Sequence, residues 1–395
     1  MRLFPPEPVI APDEGFTLEK DIFGYAKFGE QLEKFYASFD DPLVGVLDAP
    51  WGSGKSTFIK MWCGHMRNEG YPVIEFDAFK NDYTDDAFMA LAGEVLLLAE
   101  ELNGDAEEVR KEFVEKATNV IVAAGKGGLK ALARKAFTEE GADEIGEALA
   151  GAADGAIDSL EAAVKEKLLS RKQEKAAFDS FAEALSTLSE QLGKPEGEGE
   201  EGKPLIFVID ELDRCKPTFA LALLEKIKHF FSVPNVQFLL VTNLEQLGEV
   251  VKCEYGEGIN GTAYLQKFYD MYFSLPVALN HGLTSVQESF AGYLLRTCES
   301  HVNGDWFVPL AENKNLSFRE MLKVHAYAAA MVAGRNSITF GYEVVFIGLA
   351  CMRLREPDLF AKAIDGALSS DDLESFFIPT DDCMRFYLQA FFVWD

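Results

Sequence analysis

The sequence predicts an α/β protein of three layers: a parallel sheet covered by helices on both faces, a long helical insertion, and a helical C-terminal lobe. Three observations predict it. Short, continuous apolar runs (LVGVL, VIEF, LIFVI, VQFLLV) alternate with helical stretches, as strands buried on both faces do. The second and third of these runs are separated by a long detour, roughly Thr84 to Pro204, with helical rather than strand periodicity. Beyond Pro276 the strand rhythm stops and aromatic-rich helical patterns run to Asp395. At 395 residues the chain exceeds one compact core, so two or three lobes are expected.

In order, the first strand is Leu43–Leu47. It ends in a glycine-rich loop, and a helix follows over Ser56–Met66. Gly70-Tyr71-Pro72 breaks the chain before the second strand, Val73–Phe76. Thr84-Asp85-Asp86 reads as a helix start, with acids near the positive end of the dipole. A further helix covers Asp105–Ala117, and Gly125–Gly155, rich in Gly and Ala, supports no assignment. From Asp158 to Leu192 the pattern is helical again. Phe178, Phe181, Leu185, Leu188 and Leu192 form one apolar face, which a packed helix explains better than a short coiled coil. Gly193–Pro204 is an acidic linker. The third, fourth and fifth strands are Leu205–Ile209, Val236–Val241 and Met271–Leu275. The closing FYLQAFFVWD is either a docked helix or a partner surface, and docking is favoured because aromatic stripes are usually core. The expected division is 1–40 lead-in segment and helix, 41–95 first half of the core, 96–203 insertion with linker, 204–278 second half of the core, and 279–395 helical C-terminal lobe.

Composition narrows the function. Apolar residues make up 48% and charged residues 26%, the balance of a soluble globular protein. A formal charge of −28 repels nucleic acid and anionic membranes, so nucleic acid is a disfavoured partner. The basic run Lys165–Lys175 keeps a local nucleic-acid contact, and with it a DNA translocase, as a weaker alternative, although on a helix such a run is usually a solvated face. The six cysteines are scattered singly, which fits reduced thiols in the cytoplasm rather than disulfides or zinc. The start of the chain lacks the pattern of a signal peptide, and no apolar run approaches a membrane span of about 20 residues. There is no internal repeat.

The chemistry concentrates in DAPWGSGKST, Asp48–Thr57. In a phosphate-binding loop, successive backbone N–H groups cradle phosphate oxygens and the following helix adds its positive end. Pro50, Trp51, Gly52, Ser53, Gly54, Lys55, Ser56 and Thr57 would make that cradle. Gly52 and Gly54 supply backbone freedom, Lys55 reaches the β- and γ-phosphates, and the Ser56 hydroxyl ligates Mg²⁺. Such loops open on glycine, and this one opens on Ala49. A methyl group is tolerable there if φ is negative. A second motif, LIFVIDELDRC, is an apolar strand ending in two acids. Asp210 takes the position of the Mg²⁺-coordinating carboxylate, and Glu211 is placed to orient and deprotonate water. Asn243, at the tip of VQFLLVTN, would hold the γ-phosphate or the lytic water. Loop, acid pair and polar strand tip, in this order, describe a P-loop NTPase core with Walker A and Walker B motifs, using ATP and Mg²⁺.

With these residues in view, the chain resembles the KAP family of P-loop NTPases, in a soluble bacterial form. The matching stretches are PWGSGKST (Pro50–Thr57), FDAFKNDYTDDAF (Phe76–Phe88), VIDELDRC (Val208–Cys215), YLQKFYDMYFSLP (Tyr264–Pro276) and SFRE (Ser317–Glu320). Asp21–Phe35 resembles the family's lead-in helix. The chain departs from the family pattern at Ala49, and at Asp77 and Phe79, where Asn and Trp are usual. Many members carry two membrane spans between the Walker motifs, and this chain does not, so membrane insertion does not transfer. The resemblance implies an additional strand between the loop strand and the Asp210 strand, and a C-terminal lobe acting as a lid. It also implies roles for Arg214 and Arg319, either of which would stabilise γ-phosphate charge. Bacterial members are linked to anti-phage defence beside a partner effector.

The expected function is an ATP-hydrolysing regulatory switch or assembly module that self-associates or drives an effector protein. Two alternatives use the same residues: a small-molecule kinase, disfavoured by a glutamate suited to water, and a non-hydrolysing scaffold held by nucleotide.

Overall fold

The computed structural model describes residues 2–6, 8–39, 41–83, 87–99, 106–123, 160–194, 202–276, 285–299, 302–333, 340–377 and 387. Five strands, β1 (Leu43–Asp48), β2 (Val73–Asp77), β3 (Leu205–Asp210), β4 (Val236–Thr242) and β5 (Met271–Ser274), form one sheet in the order β2-β3-β4-β1-β5. The pairs β2–β3, β3–β4 and β4–β1 are parallel. The three-layer α/β reading therefore holds, and β4 is the additional strand between the loop strand and the Asp210 strand.

The strands differ from the sequence reading at their ends, and the difference has a physical reason. Reading apolar runs stops each strand at its last apolar residue. The ladder of β1 to β4 carries on one residue further, to Asp48, Asp77, Asp210 and Thr242. Backbone pairing does not require an apolar side chain: Asp48, Asp77 and Asp210 are only partly buried at the C-terminal edge of the sheet, and Thr242 stays buried with its hydroxyl on Asp213. Strand β5, by contrast, stops one residue short of the expected Leu275.

The chain divides into two compact units. One comprises residues 33–48 and 66–273. Its core lies on β3 and β4, whose side chains are buried except Asp210. The Phe207 and Phe238 rings stack there at 4.8 Å. The helix Leu160–Leu192 buries Phe181, Leu185 and Leu188, with Phe178 and Leu192 partly buried, so the packed-helix reading stands. Phe181 meets Phe113 of the helix Ala106–Ala123 and Phe231, the last residue of the π-helical turn Ile227–Phe231. Tyr36 is fully buried and donates its hydroxyl to the Phe238 carbonyl at 2.8 Å. Gly45 makes room for it: a Cβ there would stand 2.3 Å from that hydroxyl. The stretches Thr84–Asp86 and Gly125–Gly155 lie outside the described residues.

The other unit comprises residues 1–32, 49–65 and 274–395. Its described C-terminal part is helical, as expected: Val286–Thr297, Gly304–Asn313, Phe318–Ala333, Phe340–Arg355, Pro357–Ile364 and Ser370–Phe376. Trp62 is buried and donates to the Gly29 carbonyl at 3.1 Å. Tyr387, the one described residue of the terminal aromatic stretch, is buried. It stacks on Phe377 and donates to the Trp306 carbonyl at 2.9 Å, the contacts of a docked side chain. Among the described residues five cysteines are free thiols, no acid, histidine or cysteine cluster is arranged for a metal, and no helix is long and apolar enough to cross a membrane.

Candidate functional site

The loop belongs to the second unit and follows directly on β1. Its helix starts at Lys55 and runs to Asn68. Gly52 and Gly54 stand at φ +77° and +87°, conformations that glycine adopts without steric cost. Ala49 is not among the residues with positive φ, so its methyl group is accommodated, and it is buried at 5% exposure. Lys55 is buried and donates its ammonium to the Ala49 carbonyl and, at 3.3 Å, to that of Pro50. Trp51 is exposed. The Ser53 hydroxyl is buried with no hydrogen-bond partner among the described residues, an orphaned group that an incoming phosphate oxygen would satisfy.

Ser317–Glu320 sits against this loop. The Phe318 N–H donates to the Gly52 carbonyl at 2.9 Å, and a Cβ on Gly52 would come 2.9 Å from the Arg319 Cβ. The Phe318 ring lies over Gly54 and stacks on Phe23 at 4.6 Å. The structure thus brings Arg319 to the loop residues Pro50–Thr57. Read from sequence, SFRE was only a family match. It is also an S-x-x-E capping box: Glu320 Oε2 accepts from the Ser317 N–H and hydroxyl at 2.9 and 2.8 Å.

The acids belong to the first unit. Asp77 pairs with Asp210 across β2–β3, Asp210 with Val241 across β3–β4, and Val241 with Leu47 of β1. The loop strand and the Asp210 strand therefore end at the same level of the sheet. Asp210 Oδ1 accepts the Glu211 N–H at 2.8 Å. Glu211 takes φ +62°, unusual for a residue with a side chain, and its carboxylate pairs with Arg214 Nε at 2.5 Å. Burial, and then the charge of Asp210, push the Glu211 carboxyl above the ordinary carboxylate value, while Arg214 pulls it back. Lys80 pairs with Asp77 at 2.8 Å. Its ammonium is held above the usual lysine range by its hydrogen bond to Asp77 and that carboxylate's charge, with Glu211 and Asp210 adding to it. Asn243 caps the helix Leu244–Tyr255, its Oδ1 accepting from Glu245 N at 3.1 Å and Gln246 N at 3.3 Å.

Two residues that sequence reasoning passed over frame these groups. Asp48, the last residue of β1, accepts from Leu244 N at 2.8 Å and from the Tyr272 hydroxyl at 3.0 Å, tying the exit of the loop strand to β4's exit and to β5. Asp213 is buried and accepts from the Thr242 hydroxyl at 3.1 Å, tying the turn after β3 to β4. For Asp48 the signal was present as the acid beside the loop. For Asp213, an acid three residues after Asp210, nothing in the pattern set it apart from a surface side chain.

A parallel sheet with a glycine-rich loop after one strand and an acid pair after another defines a P-loop nucleotide-binding protein. The model of the KAP family P-loop domain matches residues 25–307, and the chain belongs to the KAP family of P-loop NTPases. No curated protein matches it. Among solved structures it is similar to the Aeropyrum pernix ORC2 protein, determined in ADPNP–ADP complexes. That likeness is 14% in sequence identity with a TM-score of 0.39, over 93% of this chain and 74% of that one.

Proposed function

We propose that the protein hydrolyses Mg-ATP and uses the cycle as a regulatory switch. The observation that carries this is Glu211: a carboxylate directly after the strand-end acid, in a left-handed turn and paired with an arginine, an arrangement that supports a role in handling water. Pro50–Thr57 wrap the phosphates, and Lys55 exchanges its contacts with the Ala49 and Pro50 carbonyls for β- and γ-phosphate oxygens. The donor set suits magnesium, with a hydroxyl from Ser56 and a carboxylate from Asp210, and the ion would neutralise phosphate charge there. Glu211 accepts a proton from water as the water oxygen bonds to the γ-phosphorus. The bond between that phosphorus and the β–γ bridging oxygen breaks, leaving ADP and phosphate. Asn243, its Oδ1 engaged in the helix cap, serves as a donor through Nδ2. Arg319, in the helix turn that touches Gly52, stabilises γ-phosphate charge. Arg214 acts on Glu211 through their ion pair.

The partner of such a switch is a second copy or an effector protein, as the resemblance to the KAP family implies. The link to anti-phage defence rests on the family resemblance alone. Phosphate release from Mg-ATP by the purified protein tests the reading. Release that is lost in Glu211→Gln supports it, and nucleotide recovered unhydrolysed from both proteins overturns it in favour of a nucleotide-held scaffold.

A further inference from the structure

Arg355 ends the helix Phe340–Arg355, far along the chain from every motif residue. Its Nε pairs with Glu320 Oε1 at 2.8 Å, and its Nη2 donates to Glu320 Oε2 at 3.1 Å, a two-pronged grip on one carboxylate. The same Nη2 donates to the carbonyls of Lys314 and Asn315 at 3.2 and 3.1 Å. Those carbonyls lie just beyond the helix Gly304–Asn313, where Asn315 turns the chain at φ +44°. One guanidinium therefore clamps the turn before Ser317 and the carboxylate that caps Ser317.

The capping box is what fixes the first turn of the helix Phe318–Ala333, and that turn carries the contacts to the loop: Phe318 N–H on the Gly52 carbonyl, the Phe318 ring over Gly54 and Arg319 beside Gly52. Arg355 and Glu320 are 38% and 27% exposed, so their attraction is screened by solvent and adds little to overall stability. What the arrangement provides is direction. A planar fork meets one carboxylate and two carbonyls at once, which the point charge of a lysine cannot reproduce.

We propose that Arg355 is the positioning residue for Arg319: acting through Glu320 and Ser317, it fixes the helix turn from which Arg319 reaches the γ-phosphate. This rests on the reading of Arg319 given above, so the experiment separates the two. Dissociation constants for ATP and for ADP, with magnesium, are measured on wild type, Arg319→Ala, Arg355→Ala, the double variant and Arg355→Lys, alongside thermal unfolding. ADP lacks the γ-phosphate, so the ratio of the two constants reads the contact of interest without requiring turnover. The expected result is a preference for ATP that falls roughly five- to tenfold in Arg319→Ala, comparably in Arg355→Ala, and no further in the double variant. Arg355→Lys unfolds close to wild type yet keeps little of the preference. Losses that multiply in the double variant, an Arg355→Ala variant with the full preference, or full rescue by lysine would each overturn the positioning role. An unchanged ratio in Arg319→Ala would overturn the reading of Arg319 itself, and the proposal with it.

Discussion

Gly52 and Glu211 both occupy the left-handed region of backbone space, at φ +77° and +62°, and they reach it by different means. Gly52 has no side chain to obstruct the turn, so the loop around it is shaped by local sequence. Glu211 carries the penalty of a side chain there, on the order of 1 kcal/mol, and is held by neighbours. Its N–H is on Asp210, its carboxylate is on Arg214, and the Thr242–Asp213 bond anchors the following turn to β4. A loop built by conformation fails when an atom is added. A cluster built by charge fails when a partner is removed.

Substitutions sharpen that contrast. The largest expected effect is from Glu211→Gln, which lowers turnover about 10²- to 10³-fold with ATP affinity changed only slightly, as removal of a general base does. Steady-state phosphate release and equilibrium binding check it together. Lys55→Ala is expected to weaken ATP binding about 100-fold by calorimetry, since charge-assisted contacts to phosphate are lost. Gly52→Ala comes next. The new Cβ meets Arg319 at 2.9 Å and the backbone is strained. Unfolding free energy should fall by about 1–2 kcal/mol and ATP binding by roughly tenfold, whereas Ala49→Gly changes stability by under about 1 kcal/mol. Equal damage from both would mean that conformation is not what shapes the loop.

The smallest effect concerns pH. The Glu211 carboxyl lies above the ordinary carboxylate value, so the fold favours its protonated form, and its contribution to stability declines as pH rises through that range. On the proposed mechanism activity needs the ionised form, so the acidic limb of the rate profile is expected to sit higher than for an ordinary glutamate. Arg214 favours the carboxylate, and Arg214→Gln should move that limb further upward. A limb that stays in place would remove Arg214 from the account of Glu211.

Most of the fold was legible because buried parallel strands are written as uninterrupted apolar runs. The loop was legible because phosphate binding by backbone demands glycine at fixed spacing. The framing contacts were not. Asp48 works by accepting from Leu244 and Tyr272, residues 196 and 224 positions away, and nothing local in an aspartate announces a distant donor. Arg355 and Glu320 meet across 35 residues in the same silent way. SFRE was only a family match; its S-x-x-E spacing carries a capping-box signal, but nothing local marks the loop it touches.

The helices between β2 and β3 carry one further consequence. These strands are parallel neighbours, so some crossover must join Asp77 to Leu205 however short the chain. The entropy of closing such an excursion grows only with the logarithm of its length, about 0.6 kcal/mol for each doubling. Growth at this point leaves the ends of the strands where they were. The crossover is thus a port at which the chain can carry extra mass, here a packed helical layer, without rewiring the sheet edge where Asp48, Asp77 and Asp210 end their strands.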